Sequence, residues 1–393
     1  MCYAIPGKVL EAQGNTAIIE YFGEKKKVRN DFFALSVGEY VYAQGGFIIQ
    51  KISLSEALSI LETWKELFFR LQEVDRELVQ KETKTLYQKA NSVRHKYHGN
   101  SCCVHGIIEF SNYCQCDCLY CGIRKSNTSV FRYRMAPEEI TRSVEYAVKT
   151  LGFKALVLQS GEASWYTLEQ LLAIVKEIQE KFPCLIILSI GEREIQVYEK
   201  LYQAGCRGVL LRFESSNSSI YEKMRPGHKL AERMDLIKKL KNIGYLIMSG
   251  FLIGLPGQTE QDIVEDLKVT DSLGVEMFSF GPFIPHPNTP LAKAPKPRMD
   301  VVLNTIAQAR IKYPEAKILA TTALESLGEK NALRLGLMAG ANSLMVNVTP
   351  EKYRQFYEIY PQRIGVNEKT EERIPSLLKL LHSLGRAPTD LGL

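Results

Sequence analysis

Residues 107–127 read IIEFSNYCQCDCLYCGIRKSN: a short apolar run, then Cys114, Cys116, Cys118 and Cys121 within eight residues. The apolar run predicts a buried strand. The cysteines that follow stand too close together for a structural zinc site, which draws four thiolates from two separated Cys-x2-Cys pairs around a tetrahedron. No second pair of that kind occurs in the chain. An iron–sulfur cubane suits the loop better, because thiolates are its usual ligands and one loop can wrap one corner. Counted as Cys114-x3-Cys118-x2-Cys121, the frame supplies three ligands for four irons. Cys116 is then a spare thiol in the same loop. A frame that counts Cys116 in place of one of the three stays open at this point.

Outward from this stretch, short apolar strands alternate with amphipathic helices, the pattern of βαβ units. The strands are expected at 107–110, 154–160, 184–190, 208–214, 246–253, 276–283, 317–323 and 342–348. Helices such as PEEITRSVEYAVKTL (137–151) and TLEQLLAIVKEIQEKF (167–182) fill the gaps. Eight such units are what a closed (β/α)8 barrel requires, with polar strand ends lining its top. Those ends are Gln159-Ser160-Gly161-Glu162, Gly191-Glu192, Arg212-Phe213-Glu214, Pro285-His286 and Thr321-Thr322.

Residues 1–50 read differently, as short alternating strands broken by Gly, Asn and Asp. They predict a small, OB-like β-barrel. Ser53 and Glu56 then form a capping-box signature ahead of a helix whose periodicity runs to about Lys96, with a weak break near Glu73–Asp75. The α/β chain is therefore expected to divide into residues 1–75 and 76–393.

The chain has 393 residues, 45% hydrophobic and 24% charged, a globular composition. A net charge of +6 is mild, and no basic stripe interleaved with aromatics points to nucleic acid. The most basic run, EKKKVRN (24–30), reads as a solvated turn. The start, MCYAIPGK, lacks a secretion signal, and no apolar run reaches bilayer-spanning length, so a cytoplasmic protein without membrane contact is expected. In that reducing setting nine cysteines argue for metal or catalysis rather than disulfides. The adjacent Cys102-Cys103 pair reads as packing.

The open iron of a three-cysteine cubane is what S-adenosylmethionine (SAM) can chelate through its amino and carboxylate groups. One electron from the cluster then cleaves the sulfonium to the 5′-deoxyadenosyl radical, while the protein orients and excludes side reactions. Here the sequence resembles the radical SAM superfamily, whose signature is this spacing with an aromatic residue, Tyr120, before the last cysteine. Ser160-Gly161-Glu162 resembles that family's Gly-Gly-Glu element, which receives the SAM amino group. GFLIGLPGQT (250–259), with Gly254, resembles the glycine-containing strand along the adenine.

Over residues 76–393 the resemblance narrows to the [FeFe]-hydrogenase maturase HydE, most specifically in GPFIPHPNTPL and also in LVLQSGE, LLRFESSN, ATTAL and YRQFYEIYP. Methylornithine synthase and biotin synthase are more distant relatives. The resemblance implies that Arg212, Glu214 and Arg233 contact SAM and that Thr321, Thr322 and Tyr360 face an enclosed substrate cavity. Two departures stand out. Gly365, Arg373 and Ser376 occupy the positions of an auxiliary cluster's cysteines, so no second cluster is expected. His105 stands where an arginine lining an anion site is expected, and a histidine is shorter and only partly charged.

Residues 1–70 resemble a second family, the [NiFe]-hydrogenase maturation chaperone HypC, in MCYAIPGKV and GEYVYAQGGFIIQKI. The resemblance implies that Cys2 becomes N-terminal after removal of Met1 and helps hold an iron carrying cyanide and carbon monoxide. A thiolate is a soft ligand suited to such iron. Gln44 replaces a histidine of that family.

Three functions follow as expectations. The first is a radical SAM enzyme of hydrogenase-type metallocofactor assembly, acting on an iron–cyanide/carbonyl or thiolate-bearing substrate. It would have a maturation partner protein and a reductant such as ferredoxin or flavodoxin. The second is a radical SAM enzyme on a small amino acid or sulfur heterocycle, with the HypC-like part a docking module. The third is a metal carrier whose barrel no longer turns over.

Overall fold

The computed structural model describes residues 3–80, 85–329 and 331–392. The expected small barrel is present. Its strands are β1 (Gly7–Gln13), β2 (Thr16–Tyr21), β3 (Glu24–Arg29), β4 (Tyr40–Gln44) and β5 (Phe47–Ile52), closed in the order β1-β2-β3-β5-β4. The period of two places Ala17, Ile19 and Tyr21 inside. The basic run is not a turn. It is β3, whose exposed Lys25 and Lys27 alternate with more sheltered neighbours.

Helix Leu54–Gln80 begins where Ser53 accepts from the Glu56 N–H at 3.3 Å. Its Trp64, Phe68 and Leu71, at helical spacing, pack on Tyr3, Val9, Ile19 and Tyr21 of the barrel. The helix runs unbroken through Glu73–Asp75. A second helix, Leu86–His98, starts from a capping box at Thr85 and Gln88.

The remaining strands are β6 (Ser101–Ser111), β7 (Ala155–Ser160), β8 (Leu185–Ser189), β9 (Gly208–Leu210), β10 (Leu246–Ser249), β11 (Leu252–Ile253), β12 (Met277–Phe278), β13 (Gly281–Pro282), β14 (Lys317–Ile318), β15 (Ser343–Asn347) and β16 (Ala387–Pro388). Eight of them form the parallel order β14-β12-β10-β9-β8-β7-β6-β15. A bridge from Leu319 to Ser343 closes the ring. The eight strands expected from sequence are these eight. Several ladders are shorter than expected because the chain leaves the sheet to line the mouth. At Gly250 it presses so closely on Ser279 that a Cβ would lie 2.4 Å from the Ser279 carbonyl oxygen. Strand β6 is longer than expected. It takes in Cys102–His105, and all eleven of its residues are buried.

The small barrel sits at the N-terminal ends of the large barrel's strands. Asp31 pairs with Arg207 at 2.9 Å, and Arg207 stacks on Phe32 and Tyr202. Deeper in, Asp75 accepts two 2.7 Å hydrogen bonds from Arg94 and also faces His95 and Arg386. Burial would push the Asp75 carboxyl up, but Arg94, Arg386 and His95 outweigh it and hold it below its ordinary value.

Replacing Asp75 with Asn leaves Arg94 and Arg386 buried without their counter-charge. Denaturant unfolding of Asp75→Asn should show a loss of about 3–5 kcal/mol. In the wild type the stability from Asp75 is present above the ordinary carboxylate range and is lost as pH falls through its depressed pKa.

Candidate active site

The C-terminal ends of the barrel strands enclose a cavity of about 320 Å³. Cys114, Cys116, Cys118 and Cys121 all line it. Their loop carries few regular backbone bonds of its own and is pinned from outside. Gln115 N–H donates to Glu162 O at 2.7 Å, Leu119 N–H to Met224 O at 2.9 Å, and Gly122 N–H to Ile359 O at 2.9 Å. The Arg132 guanidinium donates to the carbonyls of Asn112, Ile123, Arg124 and Asn127. Satisfied backbone groups of this kind fix a loop's shape. Two glycines let the neighbouring chain approach. A Cβ at Gly161 would lie 2.2 Å from Tyr113 O, and one at Gly122 would lie 2.1 Å from Glu358 O.

One wall is a chain of buried charge. Glu162 stands 3.5 Å from Arg225 and 3.4 Å from Arg233, and Arg233 reaches Glu192 at 2.8 Å. Burial would raise the Glu162 carboxyl, but Arg233 and Arg225 outweigh it and hold it below its ordinary value. Cys116 donates to Glu162 at 3.1 Å, so its thiol points into this network. Its thiol is raised by Cys114 and Cys118, then by burial and the Glu162 charge. Cys114 is lowered, chiefly by its hydrogen bond with Cys116.

Arg212 and Glu214 pair at 3.1 Å and line the same cavity. Glu214 has φ +62°, a left-handed conformation that costs a non-glycine residue and clusters at functional sites. Tyr120, Ser160, Gly161, Thr321, Thr322 and Tyr360 also line the cavity. Thr321 caps helix Thr322–Glu325 through Leu324 N–H, while the Thr322 and Tyr360 hydroxyls bond at 2.8 Å.

Two expected site residues lie elsewhere. His105 is on the inward face of β6 but near the barrel floor, 3.5 Å from Asp390, with two turns of the pleat between it and Glu109 at the cavity end. Gly254 is outside the lining; its N–H donates to the Gln258 side chain at 2.7 Å and shapes a turn. Cys2 lies outside the described residues. Of the auxiliary-cluster positions, Arg373 is ion-paired with Glu325.

The sequence reading missed Arg225, Glu192 as a partner of Arg233, and the pair Glu109–Arg363. Glu109 is fully buried on β6 and accepts from Arg363 and from Asn347, the latter at 2.9 Å. A carboxylate inside the apolar run IIEF was a signal, since a buried charge demands a partner. Arg225 and Arg363 left none.

Residues 108–269 match the radical SAM superfamily, 279–385 the biotin and thiamin synthesis associated domain, and 1–64 the HupF/HypC family. The [FeFe] hydrogenase maturase subunit HydE of Thermotoga maritima is 42% identical over 303 residues, 77% of this chain and 86% of that protein. The chain belongs to the radical SAM superfamily, in the HydE family. The 3-methylornithine synthase of Methanosarcina acetivorans is 27% identical over 79% of this chain and 86% of its own. The crystal structure of methylornithine synthase superposes with a TM-score of 0.66 at 24% identity, over 82% of this chain and 97% of that one, a likeness of fold.

A radical SAM enzyme uses a [4Fe-4S] cluster and SAM, and the residues present fit both. Four cysteines of one pinned loop line one cavity, enough for a cluster held by three of them, beside the close glycine approach at Gly161 and the ion-paired ends of Arg212 and Glu214.

Gly161→Ala would drive a methyl group into Tyr113 O and the Cys114 side chain, overpacking that costs about 1–3 kcal/mol. The expected outcome is a folded protein, by far-ultraviolet circular dichroism, whose iron and sulfide content after reconstitution falls below the wild type.

Proposed function

We propose that this radical SAM enzyme acts in hydrogenase-type metallocofactor assembly, on an iron–cyanide/carbonyl unit or a thiolate-bearing precursor of one. In this reading Cys114, Cys118 and Cys121 hold a single [4Fe-4S] cluster, and the cluster with SAM supplies a 5′-deoxyadenosyl radical. The observation that carries the reading is the union, in one chain, of a HupF/HypC-like barrel and a HydE-like barrel.

The chain's own groups divide the work. Glu162, held anionic by Arg225 and Arg233, suits the SAM amino group. Arg212 and Glu214 offer a cation and an anion to the rest of SAM. Arg233 acts on Glu162 and Glu192 rather than reaching out alone. Thr321, Thr322 and Tyr360 present hydroxyls to the substrate. Arg363, ion-paired with Glu109, adds a further guanidinium to the cavity lining. The HypC-like barrel would present the iron unit through Cys2, dock a maturation partner and leave the cluster to a ferredoxin or flavodoxin reductant.

The test is the infrared spectrum of protein purified anaerobically from a host making hydrogenase cofactors. Cyanide and carbonyl stretching bands are expected in the wild type and lost in Cys2→Ala. Cluster-loaded protein without bands would move the substrate to a small amino acid or sulfur heterocycle. In a parallel measurement, Cys118→Ala should lose cluster absorption and SAM cleavage, whereas Cys116→Ala should keep both.

A further inference from the structure

We propose that Cys103, His105 and Asp390 form a second metal site, for one divalent transition-metal ion, at the floor of the large barrel. Their candidate ligand atoms all lie within 4.8 Å of one another, and all three residues are buried. The arrangement follows from the fold. Cys103 and His105 are two apart on β6, so both side chains face the barrel axis. Asp390 follows β16, which pairs in parallel beneath the start of β6. Its carboxylate is aimed by Val104 N–H at 3.2 Å and by the Thr389 hydroxyl at 2.8 Å.

The His105 ring is 3% exposed, and its Nε2 is the nitrogen turned toward the Asp390 carboxylate, 3.5 Å from Oδ2. The donor set of one sulfur, one imidazole nitrogen and one carboxylate oxygen suits Zn²⁺, Fe²⁺ or Co²⁺ rather than Mg²⁺ or Ca²⁺. A thiolate, a carboxylate and a neutral imidazole around a divalent ion sum to zero charge, so burial carries no net charge into the core. The adjacent Glu276–Lys317 pair is likewise neutral. A cavity of about 20 Å³ beside the three residues has room for one water-sized fourth ligand.

Gly45 and Gly46 of the small barrel wall the same cavity. A Cβ on Gly45 would come within 2.7 Å of Leu246 and 2.9 Å of Leu185, so the hairpin presses on the floor. Above His105, the next inward residue of β6 is Ile107, which lines the upper cavity. The metal site therefore stands between the HypC-like barrel and the radical site. Its use as a station for the iron unit rests on the function proposed above; the metal binding does not.

Cobalt binding tests the site. Cluster-reconstituted full-length protein is titrated with Co²⁺ and followed by metal analysis and by the thiolate-to-cobalt charge-transfer band. One cobalt beyond the cluster iron is expected, with the band absent in Cys103→Ser and retained in Cys116→Ala and Cys2→Ala. His105→Gln keeps the thiol and carries the test should Cys103→Ser fail to fold. It should weaken cobalt binding by more than about tenfold, the least that loss of a ligand-supporting group costs. No cobalt uptake, or uptake unchanged in Cys103→Ser and His105→Gln, overturns the proposal, whatever the infrared bands show.

Discussion

The alternation of side chains along β6 is the constraint on which the rest depends. A strand sends successive residues to opposite faces, so Cys102, Val104, Ile108 and Phe110 go to the outer core while Cys103, His105, Ile107 and Glu109 go to the axis. The strand pairs with β7, β15 and β16, which leaves its register no freedom. Its four axial positions thus form a ladder from floor to mouth. At the floor stands a metal-ligating pair, in the middle an apolar residue, at the mouth a carboxylate held by Arg363. The chain then leaves β6 directly into the cysteine loop, so the loop inherits its position from the best-anchored strand of the barrel.

Charge inside the barrel is handled by pairing. Desolvating an ion costs several kcal/mol unless an opposite charge and hydrogen bonds compensate it. Glu162, Glu192, Arg225 and Arg233 satisfy that condition among themselves, and Glu109 and Arg363 satisfy it separately. The cost of this arrangement is stability; the return is a polar wall that needs no rearrangement when an anionic or zwitterionic ligand arrives. The strained backbone of Glu214 belongs to the same economy, since it turns a carboxylate into the cavity beside Arg212.

The two barrels meet at the end opposite the mouth. The contact is not a loose tether: it includes a buried ion cluster around Asp75 and a glycine hairpin seated against Leu185 and Leu246. The small barrel therefore covers the floor of the large one and leaves its open face clear.

Much was legible in the residues alone. The period of two in 1–52, the eight apolar runs and the Cys114–Cys121 spacing are local patterns, and local patterns survive translation into structure because dihedral preferences and face periodicity act over a few residues. They sufficed for both barrels, for the cluster loop and for the strand ends that line the mouth, including Glu162, Arg212, Glu214 and Thr321. What they could not decide was which distant side chains meet. Arg225 and Arg363 stand in unremarkable loops, and only closure of the barrel brings them to Glu162 and Glu109. By resemblance His105 was expected to stand at an anion site; its place in the β6 register sets it at the floor beside Asp390. Asp390 reaches it only because the chain's last strand folds back under its first barrel strand. Spacing within a segment belongs to the sequence; pairing between segments hundreds of residues apart is decided by packing, because only the assembled core removes the water that would otherwise make each of those charges indifferent to the others.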